Sequence, residues 1–425
     1  MVSLKNLKDK KILIFGLGLS GISTAKKLKK YVRHLSVWDD NSSTRINAQK
    51  KLDIILDNNY SLKTYDFIVI SPGINIYKHP KRNFFKKNFP KIITDIDIFT
   101  SSINLKKNKI ILITGTNGKS TFSKLLYHVL KNGNKNAHLL GNYGKPVLNF
   151  KNKKKKNYYV LELSSYQIEY SKFLKSHSCT VLNITPDHLE RHKNFSNYVN
   201  IKLKIFNSLL RTGRGYVSAS FPFFNLIKNK KVYKVKNFLK KKITKNKFLN
   251  KKNFLDSVSV VYQILKFLKF SDKKIFKGFD TFKPLSHRQE FVKKIKNVHF
   301  INDSKATNFD SAKFSLEFYD NIFWIAGGLL KKNDKLKLSK RIISKIKKIY
   351  LIGKRMSDLQ LKLPSKIDKQ KCKTLIKAVH QSFKDAKNLG LKNSVVLLSP
   401  GAASFDQFNN FEHRGNDFKR IVRSI

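Results

Sequence analysis

The segment 110–121 carries residues whose types and spacing suit polyphosphate chemistry. It reads Ile-Ile-Leu-Ile-Thr-Gly-Thr-Asn-Gly-Lys-Ser-Thr, so an apolar strand runs into a glycine turn that ends in Lys-Ser-Thr. Backbone N–H groups of such a turn face phosphate oxygens, the lysine adds positive charge, and the serine hydroxyl is placed to bind Mg²⁺. Ile113 replaces the first glycine of the eight-residue P-loop pattern, but the compact form still predicts a nucleoside triphosphate site. Its predicted ATP-binding residues are Gly115, Thr116, Asn117, Gly118, Lys119, Ser120 and Thr121.

Two further strands of the same region end in residues that can bind metal. Glu162 ends the predicted strand 159–162, and His188 follows the predicted strand 180–183. In open α/β sheets, ligands gather beyond the carboxyl ends of the strands. Mg²⁺ prefers oxygen ligands near the phosphates, and Ser120 and Glu162 can supply two of them. His188 either binds a second metal ion or touches the substrate carboxylate.

The first hundred residues carry a weaker nucleotide signal. A buried strand at 11–16 runs into Gly-Leu-Gly-Leu-Ser-Gly at 16–21, a second strand ends in Asp39 and Asp40, and a third ends before Gly73. Taken alone, this pattern is a dinucleotide-binding fingerprint. Its physical requirement is a diphosphate at a helix N-terminus and an acid near a sugar or base. A UDP-sugar meets that requirement as well as NAD does.

Strand and helix patterns position these groups in three successive α/β units. A third unit begins after Pro284, with predicted strands at 298–301, 322–326, 349–352 and 395–398. Each strand is followed by small or polar residues, which is typical of a doubly wound sheet. We therefore predict three domains in series, each a doubly wound, mostly parallel sheet: Rossmann-like, P-loop-type and Rossmann-like. The predicted boundaries are 1–95 for UDP-sugar binding, 96–284 for ATP binding and 285–425 for amino-acid binding.

The central unit also contains two predicted helices. One runs from about 195 to 210 and carries Lys202, and the other runs from about 255 to 270 and is broadly apolar. The segment 218–250 has no clear pattern, so we make no prediction of its structure.

Composition indicates a folded protein with an extreme positive charge. The chain has 425 residues, 41% of them hydrophobic, and a formal net charge of +61. Such a charge can promote nonspecific electrostatic binding to nucleic acid or to an anionic membrane. However, the charge is almost all lysine, spread over the whole length, whereas phosphate-reading surfaces favour arginine. We therefore attribute it to a compositional bias and expect no specific nucleic-acid partner.

The sequence pattern favours a cytoplasmic protein. Charged residues interrupt the N-terminal segment before any apolar run of signal-peptide length, and no later run is long enough to span a membrane. Cys179 and Cys372 have no paired spacing, which argues against a disulfide framework and a thiolate metal site. We expect no membrane insertion and a monomeric protein.

Motifs over nearly the full length resemble the Mur ligase family, which couples ATP cleavage to amide-bond formation. The blocks at 301–308 and 399–415 resemble the branch that adds D-glutamate to UDP-N-acetylmuramoyl-L-alanine in peptidoglycan synthesis. The resemblance rests on the segments 16–21, 71–74, 114–121, 141–144, 161–167, 187–191, 286–288, 301–308 and 399–415.

The resemblance implies a two-step reaction. ATP phosphorylates the carboxylate of the L-alanyl group, and the D-glutamate amine then attacks the acyl phosphate. It implies two Mg²⁺ ions and a carbamylated Lys202, in which a cation becomes an oxygen ligand for metal. The implied catalytic residues are Lys119, Asn142, His188 and Lys202, and the implied metal ligands are Ser120, Glu162, His188 and Lys202.

The resemblance also implies contacts with the three substrates. Further ATP contacts are Asn253, Arg288, Asp303 and Lys305. Implied contacts with the UDP-sugar are Gly18, Leu19, Ser20, Asp39, Asp40, Gly73 and Asn142. Implied contacts with D-glutamate are Thr307, Lys331 or alternatively Lys332, Ser404 and Phe411. Further predicted substrate contacts are Ser164, Gln167 and Phe405.

Three alternatives remain at this point. Another Mur ligase or a folylpolyglutamate synthetase shares the phosphate loop, but the blocks at 301–308 and 399–415 disfavour both. A basic nucleic-acid-binding protein on a decayed ligase fold is suggested only by the charge. The argument against decay is the presence of Lys119, Glu162, His188 and Lys305. An NAD oxidoreductase requires a nicotinamide site that the sequence does not reveal.

Overall fold

The protein forms two compact units in a computed structural model. The units are Met1–Phe282 and Lys283–Ile425. The structure describes residues 2–52, 54, 56–150, 156–236, 244–246, 248–250, 252–330, 336 and 338–425. Within these ranges, no helix is both long and apolar enough to cross a membrane.

The first sheet is parallel and is built mainly from short apolar strands. Its elements are β1 (Lys11–Phe15), α1 (Leu19–Leu28), β2 (His34–Trp38), α2 (Ser42–Leu52), β3 (Phe67–Ile70), α3 (Arg82–Lys87), β4 (Ile92–Ile93) and α4 (Asp95–Ser102). The strand order is β2-β1-β3-β4. The central strand β1 is buried from Ile12 to Phe15, as expected for a parallel strand covered on both faces. The carboxyl ends of β1, β2 and β3 therefore meet at one edge.

The second sheet is also parallel. Its elements are β5 (Lys109–Thr114), α5 (Lys119–Asn132), β6 (Asn136–Gly141), β7 (Asn157–Glu162), α6 (Ser165–Tyr170), β8 (Ser176–Val181), α7 (Leu189–His192), α8 (Phe195–Leu203), β9 (Leu209–Ser218), β10 (Val232–Val235), α9 (Lys252–Phe267) and α10 (Asp272–Asp280). The order is β10-β9-β8-β5-β7-β6. Because β5 pairs with both β7 and β8, the segments that follow these three strands lie side by side.

The predicted helix from 195 to 210 is too long. The α-helical part ends at Leu203, a 3₁₀ turn covers Lys204–Ser208, and Leu209 begins β9. Leu209 pairs with Ser176 of β8, so sheet pairing overrides a local pattern that is compatible with a helix. The second predicted helix is confirmed with a shift, as α9 begins and ends about three residues earlier. The segment without a clear pattern contributes β10 at the edge of the sheet.

The third sheet is mixed. Its elements are β11 (Glu290–Ile295), β12 (Val298–Asn302), α11 (Phe309–Leu316), β13 (Ile322–Gly327), α12 (Lys340–Ile343), β14 (Ile346–Ile352), α13 (Met356–Lys362), β15 (Lys369–Lys373), α14 (Leu375–Leu389), β16 (Ser394–Leu398) and α15 (Phe411–Arg423). The order is β11-β12-β16-β13-β14-β15, and only β11 is antiparallel to its neighbour within the described ranges. The three α/β sheets confirm the predicted fold class. The two lysine-rich edge strands, β11 and β15, were not predicted, because exposed edges lack a continuous apolar run.

The first two sheets pack together within the first unit. Ile14 of β1 and Leu112 of β5 belong to the same cluster of buried apolar residues. The Arg191 guanidinium donates a hydrogen bond of 2.7 Å to the Ile74 carbonyl, and Ser23 Oγ donates one of 2.8 Å to Asn149 Oδ1. The predicted boundaries near 95 and 284 stay predictions.

The buried carboxyl of Asp95 is expected to make the stability of the protein depend on pH. It is the first residue of α4, its carboxyl is buried, and its Oδ1 has no hydrogen-bond partner. Burial raises the pKa of Asp95 to about 6. Because the folded-state pKa is raised, the contribution of the protonated group to stability is complete below about pH 4 and is lost as the pH rises through 6.

We therefore expect the free energy of unfolding of the wild type, relative to Asp95→Asn, to fall by about 2–3 kcal/mol between pH 4 and pH 7.5. Urea unfolding at several pH values measures this difference. Asp9→Asn, at an exposed position, is the matched control and should run parallel to the wild type. Parallel curves for Asp95→Asn and the wild type would contradict the prediction.

Candidate active site

The predicted phosphate loop connects β5 to α5. Gly118, immediately before α5, has φ +80°, a conformation that favours glycine. Lys119 Nζ donates hydrogen bonds of 2.8 Å to the carbonyls of Gly115 and Thr116. The lysine thus folds back over the loop, and its ammonium lies beside the N-terminus of α5. A helix N-terminus together with a lysine forms an anion-binding site.

Asn183 holds this loop from the neighbouring strand segment. Its Oδ1 accepts from the Asn117 N–H at 2.8 Å, and its Nδ2 donates to the Asn117 carbonyl at 3.0 Å. The Asn183 carbonyl also accepts from the Thr116 N–H at 2.9 Å. Sequence reasoning did not select Asn183 as a site residue. The available signal was a polar residue just after β8, in the same segment as His188.

We expect Asn183→Ala to raise the KM for ATP by about 30-fold, because the two lost side-chain hydrogen bonds to the loop backbone contribute about 1 kcal/mol each. Steady-state kinetics with varied ATP measure this change. Asn104 is the matched control, because it accepts from the backbone N–H groups of Lys106 and Lys107 in an exposed turn before β5. Equal KM values for Asn183→Ala, Asn104→Ala and the wild type would refute this role.

Glu162 lies at the carboxyl end of β7, beside the phosphate loop. The residue is 1% exposed. Its Oε1 accepts from Asn142 Nδ2 at 2.9 Å, whereas its buried Oε2 has no hydrogen-bond partner. An unpartnered buried carboxylate oxygen is costly without a cation or donor. A carboxylate is also the ligand type that Mg²⁺ prefers, so Glu162 fits a magnesium site.

His188 follows β8 and has the left-handed backbone conformation, with φ +55°. Its Nδ1 lies 2.8 Å from the Tyr166 hydroxyl, and its Nε2 lies 3.3 Å from Asp187 Oδ2. These neighbours hold the ring from both sides. The arrangement places a nitrogen ligand and a carboxylate next to each other at this edge of the sheet.

Lys202 is a buried lysine on α8. It is 1% exposed, and its Nζ donates to the Gly115 carbonyl at 2.8 Å. The same Nζ lies 4.8 Å from the centre of the Tyr198 ring. Burial, with a smaller contribution from Lys119, holds the pKa of Lys202 well below its ordinary value. Its amine therefore has a larger neutral fraction at neutral pH than that of an exposed lysine.

Ser164 and Gln167, predicted to touch substrate, form the N-terminal cap of α6. The Ser164 hydroxyl accepts from the Gln167 N–H, and Gln167 Oε1 accepts from the Ser164 N–H. This capping box satisfies two backbone donors of the helix. Their predicted role in substrate binding stays untested beside this structural one.

The predicted UDP-sugar residues lie at one edge of the first sheet. Gly18 precedes α1, Leu19 is 84% exposed, and Gly73 follows β3. Asp39 Oδ2 accepts from the Leu17 N–H at 2.6 Å and so holds the glycine turn. Ser20 lies in the first turn of α1.

Asp40 belongs to a polar and aromatic cluster beside this turn. Its carboxylate lies 2.6 Å from His79 Nε2 and accepts from Trp38 Nε1 at 3.2 Å. The Arg45 guanidinium lies 4.4 Å from the centre of the Trp38 ring and donates to the Asp39 carbonyl. Trp38, Arg45 and His79 are therefore candidate UDP-sugar contacts that were not predicted from the sequence.

In the second unit, Asp303, Lys305 and Thr307 follow β12. Asp303 accepts from the Ser315 and Ser399 hydroxyls, and burial raises the pKa of Asp303 to about 6. Lys305 Nζ lies 3.7 Å from the centre of the Phe411 ring. The structure therefore brings Lys305 together with Phe411.

The remaining predicted contact residues lie in the second unit or outside the described residues. Arg288 lies between α10 and β11. Ser404 is buried, and Phe405 is 68% exposed. Lys331 and Lys332 lie outside the described residues, and the side chain of Asn253, on α9, is also outside them.

Known proteins share both the motifs and the fold of this chain. Residues 113–276 match the Mur ligase middle domain. A protein of Rickettsia prowazekii (strain Madrid E), named UDP-N-acetylmuramoylalanine--D-glutamate ligase, is 34% identical, and the match covers 98% of each chain. The chain belongs to the UDP-N-acetylmuramoylalanine--D-glutamate ligase family. A family member of the same name from Caulobacter vibrioides (strain NA1000 / CB15N) is 30% identical over 100% of this chain and 98% of its own.

Solved structures show that this D-glutamate ligase family member has a Mur ligase fold. The UDP-N-acetylmuramate-alanine ligase of Thermotoga maritima has a TM-score of 0.56 at 14% identity, covering 98% of this chain and 99% of its own. A MurF ligase of Thermotoga maritima in complex with ADP has a TM-score of 0.56 at 11% identity. The match covers 100% of this chain and 97% of the MurF chain. The family predicted from the motifs is thereby confirmed.

Proposed function

We propose that this protein is a ligase that uses ATP to join D-glutamate to UDP-N-acetylmuramoyl-L-alanine in peptidoglycan precursor synthesis. The proposal is supported by family membership over nearly the full length. The single structural observation that carries it is the unpartnered buried oxygen of Glu162 beside the phosphate loop. We further propose a cytoplasmic, monomeric enzyme.

The residues of the phosphate loop are proposed to promote the first step. The L-alanyl carboxylate attacks the γ-phosphorus of ATP, the bond to the β-phosphate oxygen breaks, and an acyl phosphate and ADP form. The transition state spreads negative charge over the phosphoryl oxygens, so positioned cations and N–H donors supply most of the catalysis. Lys119 supplies the cation, and the N–H groups at the N-terminus of α5 supply the donors.

Mg²⁺ is proposed to be held by Ser120, Glu162, His188 and a modified Lys202. When bound, such ions neutralise phosphate charge and orient the transferring group. The proposed ligands come from the start of α5, the end of β7, the segment that follows β8, and α8. Asn142 positions the Glu162 carboxylate through the hydrogen bond of 2.9 Å, and Tyr166 positions the His188 ring.

Lys202 is proposed to carry a carbamate. Carbamate formation requires a neutral amine, which forms a bond to the carbon of CO₂ and loses one proton. The lowered pKa of Lys202 favours that neutral form. The product is an anion with two oxygens, which removes a buried positive charge next to Lys119 and adds oxygen ligands near the loop.

Substrate binding is proposed to divide between the two compact units. The edge of the first sheet binds the UDP-sugar, with the diphosphate at the N-terminus of α1. The residues after β12 and β16 bind D-glutamate, and Asp303 and Lys305 contact ATP. The amine of D-glutamate attacks the carbonyl carbon of the acyl phosphate, and phosphate leaves as the amide bond forms.

Phosphate release from purified protein tests the proposed function. The reactions contain ATP, Mg²⁺, UDP-N-acetylmuramoyl-L-alanine and D-glutamate, L-glutamate or no amino acid. Release that requires both the nucleotide sugar and D-glutamate is the expected result. Release that is independent of both substrates, or no release from folded protein, would overturn the proposal.

A further inference from the structure

Arg414 is a buried cation that none of the roles above uses. It lies on α15 in the second unit and is 1% exposed. A buried guanidinium is costly unless its donors are satisfied. Burial lowers the pKa of Arg414 to about 10, so the group stays charged at neutral pH. The hydrogen-bond acceptors around the guanidinium therefore indicate the role of Arg414.

Those partners lie on three loops at the carboxyl edge of the third sheet. We name them the β12 loop (303–308), the β13 loop (327–330) and the β16 loop (399–410). Arg414 donates to Ser304 Oγ at 3.0 Å and to the Ser304 carbonyl at 2.9 Å. It also donates to the Gly327 carbonyl at 3.3 Å and, from two nitrogens, to the Ala402 carbonyl at 3.2 and 3.1 Å.

The same loops contact one another directly. Leu329 and Ala403 form an antiparallel bridge between the β13 and β16 loops, with hydrogen bonds of 2.8 and 2.9 Å. Ser304 Oγ donates to the Phe411 carbonyl at 2.8 Å, which joins the β12 loop to the start of α15. Arg414 thus lies where all these connections meet.

The loops and the start of α15 carry residues proposed above to bind D-glutamate. Thr307 belongs to the β12 loop, Ser404 to the β16 loop, and Phe411 is the first residue of α15. A subsite assembled from separate loops depends on their relative position, and shifts of about 1 Å can reduce catalysis by about 100-fold.

We propose that Arg414 is a positioning residue that sets the geometry of the amino-acid subsite by fixing the three loops against one another. This inference rests on the proposed function. A planar guanidinium with several fixed donors can reach three loops at once, whereas a lysine ammonium places its donors on one atom. The effect concerns the second chemical step, because D-glutamate enters the reaction only there, and saturating ATP offsets a change at Asp303 and Lys305 of the β12 loop.

Two variants test the inference. Arg414→Lys keeps the charge but cannot reach all three loops, and Ser304→Ala removes only the hydroxyl that joins Arg414 to Phe411. Arg420→Lys is the matched control, because Arg420 lies on the same helix with a side chain 77% exposed. Circular dichroism establishes which variants fold.

The readout separates the two chemical steps. We expect the KM for D-glutamate, measured by phosphate release, to rise by about 10- to 100-fold in Arg414→Lys and about 5-fold in Ser304→Ala. Without D-glutamate and at saturating ATP, hydroxylamine traps the acyl phosphate as a hydroxamate. We expect its rate of formation to stay within about threefold of the wild type in both variants.

Two results overturn the inference. One is a KM for D-glutamate within about twofold of the wild type in the folded variants. The other is a loss of hydroxamate formation as large as the loss of amide formation, because Arg414 would then support the unit in general. If Arg414→Lys does not fold, Ser304→Ala decides by the same criteria. A wild type that forms no hydroxamate contradicts the proposed function instead.

Discussion

Lys119→Met is expected to lower D-glutamate-dependent phosphate release by about 10³-fold or more. Lys119 places its ammonium over the phosphate loop through bonds of 2.8 Å to two loop carbonyls. Methionine has similar length but no charge, so the transferring phosphoryl group loses the positive charge that Lys119 is proposed to supply. Initial rates at saturating substrates measure the effect.

Lys131→Met is the control for this experiment. Lys131 lies on the last turn of the same helix, α5, and is exposed. Its replacement changes the net charge equally without affecting the loop, so its rate should equal that of the wild type. Equal losses in both variants would mean that overall charge, rather than the position of Lys119, governs the rate.

Lys202→Ala is expected to lower the rate by about 10²- to 10³-fold, and formate is expected to restore a measurable part of it. The substitution removes both the amine and its carbamate, and it opens space in a buried position. Formate is small enough to enter that space and offers two carboxylate oxygens. Rates with increasing formate measure the rescue.

An independent readout tests the carbamate itself. Wild-type protein incubated with ¹³C-labelled bicarbonate should show a carbamate signal in the ¹³C spectrum, and Lys202→Ala should lose it. Lys204→Ala, exposed two residues later, should keep both the signal and full activity. Full activity of Lys202→Ala without formate, or a signal that persists in it, would contradict carbamylation at this residue.

Several features could be predicted because they depend on local sequence. The phosphate loop is identifiable from glycine, lysine and serine at fixed spacing after an apolar strand. The φ of +80° at Gly118 explains why the motif needs glycine there. Central parallel strands such as β5 and β16 were also predictable, since burial on both faces requires a continuous apolar run.

Other features could not be predicted, because they depend on contacts between distant segments. The pattern around Leu209 is compatible with a helix, and only pairing with β8 makes this residue the start of a strand. Asn183 holds the phosphate loop across a distance of 66 positions in the chain. A single sequence contains no signal that specifies such a partner.

The sequence by itself determined the order of the α/β units, the phosphate-binding chemistry and the family, because these depend on residue types at short spacing. The tertiary structure decided which oxygen of Glu162 lacks a partner, that burial lowers the pKa of Lys202, and which loops Arg414 joins. Burial and hydrogen bonding set these properties, and both arise only when strands distant in sequence become neighbours in a sheet.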